Sequence, residues 1–260
     1  MAGAACRAAE VQHKTLSIPR LAKPISIDGE LADWPADAPS ARMELDPEEK
    51  QYSGTARLAY DDQFLYVAFE VASGKPMRNA GDDPATAFKT GDTVEIFISV
   101  NDKPLDARRP RGEGMDTARE GDYRVLMTLL RNTRPVIFGY DFVHPGGGCQ
   151  PMDVKVSGPR ALIDCAAVVP AAEMAADDAT IGEIAGFIVE AKLPWKYFRG
   201  YRPKSGARLL FNLAVNFSNG AGTANIGKAY WNGPSHMCTD LGIESQIHPE
   251  GWGWLELTGK

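Results

Sequence analysis

No apolar run in this sequence approaches the roughly 20 residues that a membrane-spanning helix needs, so a soluble chain without a transmembrane segment is expected. Basic charge is also scarce. Lys and Arg number 28 against 34 Asp and Glu, leaving a net charge of -6 and a pI near 5.3. Arg108, Arg109 and Arg111 form only a short cluster with acids on both sides, which offers no basic field to a polyanion, and nucleic acid is not an expected partner. Cysteine and histidine are few, four of each. His13, His144, His236 and His248 are scattered without ligand spacing, and no Cys stands beside a His in a nucleophile context, so a zinc site or a catalytic thiolate is not indicated. Cys6, Cys149, Cys165 and Cys238 allow three complete pairings, among which the sequence does not choose. Cys149 and Cys165 flank a candidate strand and would bridge only in an oxidising compartment.

Helix-period segments are also scarce, which excludes a helical bundle. Instead, short alternating or β-branched runs are separated by Gly, Pro, Asn and Asp, the pattern of a mostly β chain. At 260 residues, 44% of them hydrophobic, it can bury a substantial core. Strands are predicted at Lys14–Ile18, Ile25–Asp28, Gly54–Tyr60, Phe64–Ala72, Thr93–Val100, Tyr123–Leu130, Val136–Tyr140, Val154–Gly158, Leu162–Val168, Gly186–Leu193, Arg208–Phe217 and Gly253–Leu257. Asp61-Asp62 reads as a tight hairpin turn. Ala171–Ala176 is expected to make a helical turn before Asp177-Asp178 returns the chain to a β pattern. Two long connections, Asn101–Asp122 and Asn219–Glu250, interrupt the spacing, and loops of this length are usually disordered or functional. Function is favoured for the second, which carries Trp231, His236 and Cys238. With no composition break or repeat, residues 20–260 read as one domain after an irregular tail, 1–19, that includes a candidate first strand. Met1–Ala9 lacks the charged start and apolar stretch of an intact secretory signal.

The strand Thr93–Ser99 alternates. Val94, Ile96 and Ile98 can enter a core while Glu95 points the other way. Arg124 is likewise out of phase with Tyr123, Val125 and Met127, and Glu190 and Lys192 oppose Phe187, Val189 and Leu193. A polar face spread over several strands is expected, suited to a hydroxyl-rich ligand. Glu95 and Arg124 read equally as a cross-strand ion pair or as sugar contacts, and Glu190 could share their network. Asn212 and Asn216 fall on one side of their strand, where bonding to adjacent loops is slightly favoured.

Five segments, in order, resemble the family-nine carbohydrate-binding modules. They are Ile25-Ser26-Ile27-Asp28-Gly29-Glu30-Leu31-Ala32-Asp33-Trp34, Asp61–Val67, Gly91–Ile98, Phe187–Trp195 and Leu210–Asn216. The resemblance runs from about Ile25 to Leu257. It implies an all-β, antiparallel β-sandwich, jelly-roll-like, with long loops and little helix. It also implies a noncatalytic domain that holds a poly- or oligosaccharide between aromatic rings over polar strand residues. On matching positions, it implies ligand contacts from Phe88, Glu95, Arg124, Asn212, Asn216 and Trp231. The chain departs from the pattern in having Phe88 for the first stacking Trp, one residue further from the acidic strand. It reads Ser245-Gln246-Ile247-His248 where the second Trp would fall. Trp34, Trp195, Trp252 and Trp254 read as core or edge packing.

A carbohydrate ligand, an attached or partner glycan-degrading enzyme and an extracellular or periplasmic location follow as expectations. No cofactor is predicted. Relatives of this fold bind calcium, so a structural calcium stays open, although Asp102, Asp106, Asp116 and Asp122 follow no loop-binding pattern. Three other readings stay open: a glycoside-active enzyme using Glu95 and Glu190 as its carboxylate pair, a haem-binding electron-transfer domain with Met127 and His236 as axial ligands, and an accessory domain of this fold that contacts only protein.

Overall fold

The computed structural model describes residues 13–45, 51–101, 121–141, 167–168, 173–233 and 251–259. All four cysteines, His144, His236, His248, Val154–Gly158 and Ser245–His248 lie outside them. The strands are β1 (Thr15–Pro19), β2 (Ser40–Glu44), β3 (Ser53–Tyr60), β4 (Phe64–Ala72), β5 (Thr93–Ser99), β6 (Asp122–Leu130), β7 (Arg134–Asp141), β8 (Ala167–Val168), β9 (Glu173–Ile181), β10 (Ile184–Pro194), β11 (Arg208–Ser218), β12 (Asn225–Tyr230) and β13 (Gly253–Thr258). A single helical turn, α1 (Ala87–Thr90), precedes β5.

These strands form a sandwich of two sheets. The first runs β1-β13-β11-β5-β6-β7-β8, with β12 also on β11; the second runs β2-β3-β4-β10-β9. Among the described residues the strands pair antiparallel except β1 on β13. Alternation sends one side chain in two into the space between the sheets. Val94, Ile96 and Ile98 of β5 and Val125 and Met127 of β6 meet Val67, Phe69, Phe187 and Val189 of the second sheet in one buried cluster. Each such side chain contributes about 1.5–3 kcal/mol on burial. A second apolar cluster, with Phe88, Phe97, Leu126, Phe138, Leu210 and Trp252, lies on the outer side of the first sheet.

The Asp61-Asp62 turn forms as expected, because Asp61 Oδ1 accepts bonds from the backbone N–H groups of Gln63 and Phe64, both 2.7 Å. Three expectations are corrected. Ile25–Asp28 is not a strand. The segment is a strap over the outer side of the second sheet, where the N–H groups of Asp28 and Gly29 both donate to Glu190 Oε2 at 3.0 Å instead of to a ladder, and Gly29 takes a left-handed φ of 87°. The described part of Ala171–Ala176 is the start of β9, since pairing of Glu173 to Ile181 with β10 overrides the helical preference of alanine. The Asn219–Glu250 connection contains β12, which pairs with β11 from Ala214 to Ser218.

Candidate functional site

The polar side chains expected around Glu95 gather on the outer side of the first sheet, as a buried cluster and not as an open face. β5, β6, β11 and β12 place Glu95, Arg124, Asn216 and Lys228 side by side because Ala214 pairs with Glu95, Asn216 with both Thr93 and Lys228, and Phe97 with Arg124. Five donors converge on one carboxylate. Arg124 donates to Glu95 through Nε at 2.9 Å and Nη2 at 2.6 Å, Lys228 Nζ at 2.8 Å, Asn216 Nδ2 at 2.5 Å and Thr93 Oγ1 at 3.2 Å. Burial alone would raise the Glu95 carboxyl, but Arg124 and then Lys228 outweigh it and hold the group at about 2. A carboxyl so acidic stays ionised near neutrality and has no proton to give as a general acid. Among the described residues the buried Asn216 Oδ1 accepts no hydrogen bond.

Rings border this cluster. Arg124 lies 4.4 Å from the centre of the Phe88 ring and 5.7 Å from that of Phe97; Lys228 Nζ lies 5.4 Å from Phe97 and 5.3 Å from Tyr230. Such cation–π contacts are stronger where water is excluded, and Glu95 and Arg124 are 0% and 2% exposed. Phe88 is placed from below by Asn79, whose Nδ2 donates to Ala87 O at 2.9 Å and to Thr128 Oγ1 at 3.0 Å, and whose Oδ1 accepts from Thr90 Oγ1 at 2.9 Å. Asn225 Nδ2 donates to Phe88 O. Gly91 allows this approach, because a Cβ there would sit 2.4 Å from Asn79 Cα. The segment before α1 is tied down by Asp92, which accepts from Lys75 Nζ, from the N–H groups of Arg78 and Ser218 at 2.7 Å each, and from Ser218 Oγ at 2.9 Å. Burial raises its carboxyl despite the Lys75 ammonium.

Of the residues singled out from sequence, Phe88, Glu95, Arg124 and Asn216 meet in this cluster. Asn212 sits on the same outer side but serves the turn after β12, donating from Nδ2 to Asn232 O at 2.8 Å and accepting from Asn232 N at 2.9 Å. Trp231 points the other way. Alternation along β12 puts Tyr230 outside and Trp231 between the sheets, where its ring meets Phe211 edge-on at 6.2 Å. Lys228 and Tyr230 carry no signal in the sequence, because their phase becomes readable only once Asn225–Tyr230 is taken as a strand. Trp34, Trp195 and Trp252 are buried, and Trp254 is half-buried at the edge of the outer cluster.

Three sequence readings are corrected. Glu190 does not join the Glu95 network, nor do the two form a glycosidase pair, because they project from the outer sides of opposite sheets with the core between them. Glu190 instead accepts from Trp34 Nε1 at 2.5 Å and from the strap, and burial raises its carboxyl against those bonds. Met127 is enclosed in the core between the sheets, which leaves no open side for a macrocycle, and His236 lies outside the described residues. Among the described residues no group of three or more His, Cys, Asp or Glu could hold a metal ion. No helix among them is long and apolar enough to cross a membrane.

Comparison with known proteins agrees with the architecture. The carbohydrate family 9 binding domain-like family matches residues 27–107. A family 9 carbohydrate binding module of Caldicellulosiruptor kristjanssonii in complex with cellotriose is 16% identical, with a TM-score of 0.57 over 95% of each chain. The glucose complex from the same organism is 16% identical, with a TM-score of 0.53 over 95% of this chain and 97% of that one. A putative carbohydrate-binding protein of Bacteroides uniformis is 13% identical, with a TM-score of 0.55 over 95% of this chain and all of that one. The fold is therefore that of a family 9 module, an all-β sandwich. No curated protein sequence matches the chain.

Proposed function

We propose that this chain is a noncatalytic carbohydrate-binding domain whose site lies on the outer side of the first sheet, over Glu95, Arg124, Asn216 and Lys228 and against Phe88 and Tyr230. The observation that carries the reading is the five-donor carboxylate itself. A two-sheet sandwich needs no ions on an outer side, and desolvating three of them costs several kcal/mol that only good geometry offsets. Strongly perturbed ionisable groups cluster at functional sites. Rings supply the flat apolar surface that the C–H side of a sugar prefers, and the exposed Lys89 ammonium supplies directional bonds to its hydroxyls. The half-buried Tyr230 ring and the exposed Lys89, 5.6 Å from the Phe88 ring, are the groups a ligand meets first. The buried ions beneath hold those rings in register.

The fold relatives bound to cellotriose and glucose make β-glucans the first ligands to try. A location outside the cytoplasm and action beside a glycan-degrading enzyme, which such a domain would hold near its polymer, belong to the same reading. Titration calorimetry with glucose and cellotriose, followed by a glycan array, tests it. Binding that Tyr230→Ala weakens with the melting temperature kept, and that Phe88→Ala weakens in a protein that still folds, is the expected result. A wild-type protein that binds nothing on either would end the reading.

A further inference from the structure

The outer side of the first sheet does not stop at Tyr230. Rings continue along it: Phe97 lies 6.3 Å from Tyr230 and 5.6 Å from Trp252, and beyond them Trp254 packs against the same cluster but stays half-buried. Trp254 is paired across β13 and β11 with Leu210, and one register step further Arg208 is paired with Glu256. The exposed Arg208 guanidinium lies 4.8 Å from the centre of the Trp254 ring. Beside it, Ser17 Oγ donates to Glu256 Oε2 at 3.0 Å. Thr15 and Ser17 of β1 stand exposed at the same two register levels. An indole, a guanidinium, a carboxylate and two hydroxyls thus share one open strip.

We propose that Trp254 and Arg208 form a second sugar subsite, taking further units of a neutral oligosaccharide whose first unit sits over Glu95 and Tyr230. This rests on the function proposed above. Trp254 lies two strands and four residues from Glu95, roughly 16 Å by strand geometry, the span of a short oligosaccharide and not of one monosaccharide. The ligand is neutral because Arg208 faces Glu256 on the neighbouring strand, so the strip presents donor and acceptor together with balanced charge. A large indole half open on an outer sheet side, with a stacked arginine, matches the mixed stacking and hydrogen bonding that sugars need. Packing does not require the ring to be open, since Trp252 and Leu210 already close the outer cluster there.

Calorimetry with glucose, cellotriose and cellohexaose on the wild type, Trp254→Ala and Arg208→Ala tests the subsite. Affinity should rise with chain length in the wild type. Trp254→Ala should lose about five- to tenfold for cellohexaose, the worth of one aromatic contact, and Arg208→Ala about two- to fivefold, both leaving glucose unchanged. Because Arg208 is exposed, its variant decides the matter if Trp254→Ala does not fold. Cellohexaose binding as tight in the variants as in the wild type, or an equal loss for glucose and cellohexaose, would overturn the subsite and leave the first site standing. No binding of any of the three by the wild type would instead remove the function reading, and the subsite with it.

Discussion

The Arg124 guanidinium stands over the Phe88 ring, 4.4 Å from its centre, while it clasps the Glu95 carboxylate with two of its nitrogens. One side chain thereby links the apolar and ionic parts of the outer face. Phe88 comes from a helical turn before β5 and Glu95 from β5 itself, so Arg124 on β6 fixes the two against each other. The consequences of loosening that link differ from residue to residue.

Removing the anion is the most damaging change. Glu95→Gln takes from the enclosed Arg124 and Lys228 the carboxylate charge they share, and removing one partner of a buried ion pair costs about 3–5 kcal/mol. Urea unfolding should show a lower midpoint with an unchanged slope. Arg124→Lys keeps the charge but loses the two-point grip and should fall between wild type and Glu95→Gln. Equal stability of all three proteins would mean that the network contributes nothing to the fold.

Acid should act through the same carboxylate. Glu95 titrates at about 2 in the folded chain against an ordinary value of 4.5, so its contribution is full above about 4.5 and is lost as the pH falls toward 2. A depression of that size corresponds to about 3 kcal/mol. Asp92 and Glu190 carry the opposite sign. Burial raises both, so their ionisation lowers stability as the pH rises through the ordinary carboxylate range. Stability measured against pH should therefore fall steeply below about 4.5 in the wild type. In Glu95→Gln that acid limb should flatten, and an unchanged limb would assign acid unfolding to other groups.

Much of the fold was legible in the sequence because its strands alternate with a strict period of two. Val94, Ile96 and Ile98 declare one side and Glu95 the other, and the parity holds in the structure. What stayed hidden has a common cause, since parity cannot be read in a segment not recognised as a strand. β12, Asn-Ile-Gly-Lys-Ala-Tyr, carries a central Gly and sits in a Gly- and Asn-rich stretch, so the pattern hides Lys228 and Tyr230 and makes Trp231 look like a loop ring. Glu190 shows the other limit. Parity gave its outward direction correctly but not which of the two sheets it belonged to, a matter of long-range pairing with β4 and β9.

The strap offers a control. Trp34 Nε1 donates to Glu190 Oε1 at 2.5 Å on the outer side of the second sheet, away from the proposed site. Trp34→Phe keeps most of the apolar burial and removes a bond to a charged acceptor, worth about 1.5–3 kcal/mol. Chemical denaturation should report that loss while glycan affinity stays at the wild-type value. A fall in affinity would show that the two outer sides are coupled through the core.

Gly91 tests how strictly Phe88 must be placed. Its backbone is extended, with φ of -166°, so alanine meets no conformational barrier there and the whole effect is steric. The new Cβ would fall 2.4 Å from Asn79 Cα, and that atom belongs to backbone which Asn132 and Gly222 also hold, through Asn79 N to Asn132 Oδ1 at 2.7 Å and Ala80 N to Gly222 O at 2.7 Å. The segment carrying α1 is the softer partner, because it is one turn long, so the displacement should pass to Phe88 and open its contact with Arg124. Gly91→Ala should destabilise by about 1–3 kcal/mol, the usual range for overpacking. It should also weaken cellotriose binding at least as much as Phe88→Ala does. Calorimetry on the folded variant separates the two effects, and a destabilised protein with undiminished affinity would show that the ring's position does not govern the site.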